Sequence, residues 1–158
     1  MVDKGVAMRY DLILQGGRVI DPAQSVNRTC DVAFVGGNVA AIGERLPYEG
    51  SSTLVDCRGK IVCPGLIDLH VHVFWGVRDY GIEPDPRCIA RGVTPAVDAG
   101  SAGADTFPGF RKFIIDVSAT RILAHINISA QGMLDADIGE LQDIRYANVE
   151  RALDMIEQ

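Results

Sequence analysis

From Tyr10 to Ile61 apolar and polar positions trade places in short runs broken by glycines, a pattern of strands joined by tight turns. The first run puts Tyr10, Leu12 and Leu14 on one face, and Gly16-Gly17 after it fits a two-residue hairpin turn. Val32, Phe34 and Val35 lead into Gly36-Gly37, and Val39, Ala41 and Ile42 follow, which predicts a second hairpin over 31–42. A third can be drawn over 53–62 around Arg58-Gly59. These hairpins predict a small β-sheet subdomain over residues 1–62.

At Pro64-Gly65 the style changes to strand-like and helix-like stretches in alternation, the pattern of βα units. Strands are expected over 61–73, 93–99 and 121–129, and helices over 86–91, 107–119 and 148–157. In the last helix Val149, Leu153 and Ile156 recur at i, i+4 and i+7 while Glu150, Arg151 and Asp154 turn away, so its apolar stripe should pack on the outside of a sheet. Three βα units fill residues 63–158, whereas a closed (β/α)₈ barrel typically needs about 250 residues.

Composition narrows the ligand class. The chain has 158 residues, 47% hydrophobic and 23% charged, enough for a core of one-domain size. Its net charge of −6 argues against a nucleic-acid partner, which requires a clustered positive field. No uninterrupted apolar run reaches membrane-spanning length, and 1–9 lack a secretory pattern, so a cytoplasmic protein without a membrane partner is expected. Cys30, Cys57, Cys63 and Cys88 fit neither a metal knuckle nor a disulfide framework and read as reduced thiols.

The chemistry concentrates between Gly65 and Val73. Alternation along Leu-Ile-Asp-Leu-His-Val-His-Val puts Asp68, His70 and His72 on one face and Leu69, Val71 and Val73 on the other. Cα atoms two apart on a strand lie roughly 6–7 Å apart, close enough for both imidazoles to converge on one divalent ion. Two histidines do not hold zinc by themselves, and ordinary core or surface histidines give the same spacing. Their place at the carboxyl end of the first apolar strand of a βα series is where parallel barrels carry their chemistry.

The run Lys60-Ile-Val-Cys-Pro-Gly-Leu-Ile-Asp-Leu-His-Val-His resembles the signature of the amidohydrolase superfamily, particularly its dihydroorotase-like and deacetylase branches. Asp11-Leu-Ile-Leu-Gln-Gly-Gly-Arg-Val-Ile-Asp-Pro and the 31–42 hairpin are similar to that family's accessory β-sandwich. Asp98-Ala-Gly-Ser-Ala-Gly-Ala and Phe107-Pro-Gly-Phe lean towards the deacetylase-like branch. The resemblance implies an α/β chain forming the amino-terminal part of a TIM-type metal-dependent hydrolase barrel. It implies that His70 and His72 bind one of one or two metal ions, usually zinc, whose acidified water attacks an amide or related ester of a small acylated or cyclic molecule. The family's carboxylated lysine, later histidines and proton-handling aspartate find no match here, since Lys112 falls in an expected helix and His125 on the third strand. Catalytic residues are therefore expected beyond Gln158. The alternative is a non-catalytic fragment, or a half-barrel that associates with itself or a complementing chain.

Other residues remain open between a site role and an ordinary one. His125 alternates with Ala124 and Ile126 and is either a hydrogen-bonded interior histidine or a site residue. Asp98 ends the second strand, where it could orient a metal ligand, meet substrate or cap a turn. Asp68 reads as structural. Trp75, Arg78 and Tyr80 follow the metal strand and are candidate substrate contacts on an exposed loop. No phosphate-binding glycine loop or nucleophile elbow is present.

Overall fold

The computed structural model describes residues 9–48, 50, 52–77 and 81–158. It divides into two units, which part between Pro64 and Gly65.

The first unit is a five-stranded mixed sheet built around β1 (Leu12–Asp21). β1 pairs antiparallel with β2 (Val26–Val35), which pairs antiparallel with β3 (Asn38–Gly43) through a turn at Gly36 and Gly37, with φ of 56° and 78°. That turn is where the glycine pair predicts it, because positive φ at both central residues matches the twist of the flanking strands. Gly16-Gly17 behaves differently from expectation: β1 runs straight through it. Gly16, at φ 68°, absorbs a register shift between Leu14 and Gly17, and its N–H donates to Asp31 Oδ1 at 2.9 Å. The reversal comes later, at a 3₁₀ turn over Pro22–Gln24. There Asp21 Oδ1 accepts from Ala23 N, and Ser25 closes the turn in the left-handed region.

The third expected hairpin is also absent. β4 (Thr53–Asp56) and β5 (Ile61–Val62) both pair parallel with β1 rather than with each other. The chain between them makes a small excursion at the level of the β1 bulge, closed by Lys60 N donating to Cys57 O, with Gly59 at φ 74°. Alternation puts apolar groups on both faces of this sheet. Ile13 and Ala33 gather with Tyr10 and Leu46, while Leu14 and Val32 gather with Val19, Cys30 and Val62.

The second unit carries a three-stranded parallel sheet in the order β6 (Leu66–Val71), β7 (Val93–Asp98), β8 (Arg121–Ala124). Helix α1 (Pro84–Arg87) and a 3₁₀ turn (Ile89–Arg91) connect the first two strands. Helix α2 (Phe107–Phe110), continued by one π-helical stretch (Arg111–Ile115), connects the next two. Phe110, fully buried, and Ile114 project from this helix into a core with Val71, Val73, Cys88, Ala96 and Ile122, and Phe74 stacks on Phe110 at 4.8 Å between ring centroids. Asp85 ties the layers together: its carboxylate accepts from Ala119 N at 3.0 Å and Thr120 N at 2.8 Å, just before β8. Those backbone donors hold it below the usual carboxylate range.

Two expectations change here. β8 ends at Ala124, and the stretch beyond it continues as irregular backbone with isolated bridges at Asn127 and Ser129. Helix α3 (Val149–Ile156) forms where the period predicts, capped by Asn148 Oδ1 accepting from Arg151 N. Its apolar stripe is not packed, however, for Val149, Leu153 and Ile156 are exposed and Ala152 is the buried residue. The periodicity specifies the helix and its apolar face, while what covers that face depends on neighbours that the described residues do not supply. No helix among the described residues is long and apolar enough to cross a membrane.

Candidate metal-binding site

The carboxyl end of the parallel sheet assembles the polar residues. His70 lies near the end of β6 and His72 one residue past it. The ladder to β7 is irregular between Asp68 and Val71, and Asp68 Oδ1 accepts from His70 N at 3.1 Å, so Asp68 has the structural role expected of it. Despite that irregularity the two imidazoles meet edge to face, with centroids 5.5 Å apart and planes at 83°. Imidazoles sharing one tetrahedral zinc through bonds of about 2.0–2.1 Å would hold their centroids roughly 5 Å apart. The pair therefore fits two corners of a nitrogen-rich metal site. Among the described residues no cluster of three or more His, Cys, Asp or Glu side chains could complete it.

The histidines differ in support. His70 is exposed, whereas His72 is half-buried and its Nδ1 lies 2.9 Å from Ser101 Oγ. Ser101 Oγ donates in turn to Asp98 Oδ2 at 2.8 Å. The same Asp98 oxygen accepts from Val73 N at 2.8 Å, and Oδ1 accepts from Ser101 N at 2.7 Å. Asp98 is 0% exposed. Taking a carboxylate out of water costs several kcal/mol, and three donors aimed at its two oxygens offset that cost.

The loop that bears Ser101 is itself locked. Residues 100–104 are all buried, although they connect a strand to a helix. Asn127 N donates to Ala102 O, Met133 N to Ser101 O and Asn127 Nδ2 to Gly100 O, each at 2.9 Å. A Cβ at Gly103 would lie 1.8 Å from Ser129 O and one at Gly132 2.5 Å from Ser101 O, so both glycines allow backbone to press on backbone.

The sequence-predicted residues thus separate. His70 and His72 come together as expected. Asp98 joins them through Ser101 and is completely buried. His125 is exposed just beyond β8 and makes no side-chain hydrogen bond among the described residues, so the interior, hydrogen-bonded histidine that alternation suggests is not formed. Alternation fails as a guide there because the strand has already ended. Trp75, 45% exposed, lines a cavity of ≈150 Å³ with Glu83, Asp85 and Phe113. Arg78 and Tyr80 lie outside the described residues. Ser101 is the residue that sequence reasoning overlooked; its signal is the Asp-x-x-Ser spacing after a strand, which lets the carboxylate accept from the serine N–H in a tight turn.

Comparison with known proteins gives the class. No family profile matches the chain. It is 40% identical to a deacetylase of Agrobacterium fabrum over 119 residues, 75% of this chain and 29% of that protein. It is 38% identical to a dihydroorotase of Trichlorobacter lovleyi over 104 residues, 66% of this chain and 23% of that protein. A crystal structure of a dihydroorotase superposes with a TM-score of 0.81 at 33% identity, covering 92% of this chain and 39% of the other. Fold and sequence together define a chain of the amidohydrolase superfamily. Within it the relationship is to the dihydroorotase-like and deacetylase branch, over the amino-terminal portion only. The chain spans less than a third of the length of these two curated relatives.

Proposed function

We propose that this chain is the metal-anchoring, amino-terminal portion of a metal-dependent hydrolase that cleaves the C–N amide bond, or a related ester bond, of a small acylated or cyclic molecule. In this reading residues 1–62 are an accessory β-sandwich and 63–158 the first three βα units of a TIM-type barrel. The observation that carries it is the edge-to-face His70–His72 pair at the carboxyl end of a parallel sheet. The deacetylase and dihydroorotase names of its relatives support the reaction class.

His70 and His72 would hold the ion, most simply zinc, whose preference for neutral imidazole they match. Bound there, it would supply Lewis acidity and an acidified water at neutral pH. The chain's own contribution is positional: the strand end sets the spacing of the two rings, and the buried Asp98–Ser101 pair limits the rotation of one of them. Further metal ligands and the proton-handling group would come from polypeptide outside these 158 residues, either in the same chain or in a complementing one. Localisation in the cytoplasm belongs to the same proposal.

The test uses the complete polypeptide that contains this segment. Zinc content by elemental analysis and hydrolysis of a panel of acyl amides and cyclic amides should both fall to background in the His70→Ala/His72→Ala double variant. Retention of either by a folded double variant would remove the assignment.

A further inference from the structure

The side chains around His72 form a one-way chain of hydrogen bonds. Asp98 is fully buried and, as a carboxylate, can only accept. Ser101 has one hydroxyl proton, and the 2.8 Å contact to Asp98 Oδ2 uses it. Toward His72 the Ser101 oxygen therefore has only lone pairs to offer, so the partner atom at 2.9 Å, Nδ1, must carry a hydrogen. The direction cannot reverse locally. Asp98 Oδ1 is engaged by Ser101 N, Oδ2 also accepts from Val73 N, and among the described residues no proton donor remains for Ser101 to receive from on that side.

From this geometry we infer that Asp98 and Ser101 are positioning residues that fix neutral His72 as its Nδ1–H tautomer, reserving the Nε2 lone pair for a metal ion. The destination of that lone pair rests on the function proposed above; the tautomer itself does not. Free imidazole in water favours the opposite, Nε2–H form, which would present a proton to the ion. The Ser101 loop resists drift because its carbonyls at Gly100, Ser101 and Ala102 are all bonded to the segment that follows β8. An orienting partner of this kind usually changes metal affinity by roughly 10–100-fold.

The experiment is side-chain nitrogen NMR of the metal-free 158-residue chain at a pH near 8.5, where ordinary imidazole is neutral. The chain has three histidines, so His70→Gln and His125→Gln variants assign the His72 signals by elimination. The expected result is a His72 spectrum of the Nδ1–H form, moving toward Nε2–H in Ser101→Ala while the other amide signals keep their dispersion. His72 as Nε2–H in the unaltered chain, or an unmoved tautomer in folded Ser101→Ala, would overturn the inference; the first of these needs no variant to fold differently. In the complete polypeptide, Ser101→Ala should weaken zinc retention against a chelator by about 10–100-fold. The two readings fail separately. Nδ1–H with no zinc retained would remove the metal site and leave the relay, whereas Nε2–H with zinc retained and lost on removing the histidines would leave the site and remove the relay.

Discussion

The two ends of β6 stand in different surroundings. At its carboxyl end Val71 and Val73 are buried, His72 is gripped through Ser101, and the next loop is buried throughout. Toward its amino end Leu66, Ile67 and Leu69 are 56%, 61% and 71% exposed. The same strand is thus enclosed around His72, between buried Val71 and Val73, while His70 and the apolar residues before it are exposed. Order at a site can be generated by nearby sequence: Asp98 and Ser101 reach back to the strand end, and 127–133 clamp the loop between them. Cover for an apolar strand must come from whole neighbouring elements, and the described residues provide it for one end alone.

Four substitutions would sharpen or break this contrast, all readable through Trp75, the sole tryptophan, which belongs to the second unit. Gly103→Ala should have the largest effect, about 3 kcal/mol or more in urea unfolding, because the added carbon meets the Ser129 carbonyl rather than a flexible side chain. A mild effect would mean that the clamp yields. Val73→Ala should cost about 2 kcal/mol from a fully buried position. Asp85→Ala removes the acceptor for two backbone N–H groups and should cost about 1 kcal/mol near neutral pH. Its carboxyl is held below its ordinary value, so the stabilisation is present above the unfolded-state value near 4 and fades as pH falls through the lower folded value. A urea series from pH 6 downward should accordingly show the wild type converging on the variant. Leu69→Ser should change stability by no more than about 0.5 kcal/mol, and a larger loss would show that the bare end is covered in solution.

The legible parts of the molecule are those governed by local period. The switch from hairpins to βα units near Pro64, the His70–His72 spacing and the helix over 149–156 follow from alternation and i, i+4 recurrence. Glycines proved ambiguous, since Gly16 and Gly36 both report positive φ, yet one makes a bulge and the other a turn. The difference depends on whether a second strand continues alongside, as β4 and β5 do along β1. Ser101 escapes a sequence reading because its decisive partner, His72, is 29 positions away and a serine hydroxyl carries no periodic signature. The stripe of α3 is visible in the sequence, but its exposure depends on the cover, which no pattern within the helix encodes.

The cysteines, read from the sequence as reduced thiols, have a use at the bench. Cys30, Cys57 and Cys88 are buried and unpaired, and burial pushes the Cys88 thiol up, away from the thiolate that alkylating reagents require. Cys63 is exposed, one residue before the junction of the two units. A maleimide dye added to the native chain should therefore couple at that single position, placing a fluorescent reporter at the joint without any engineered cysteine or removal of the other three.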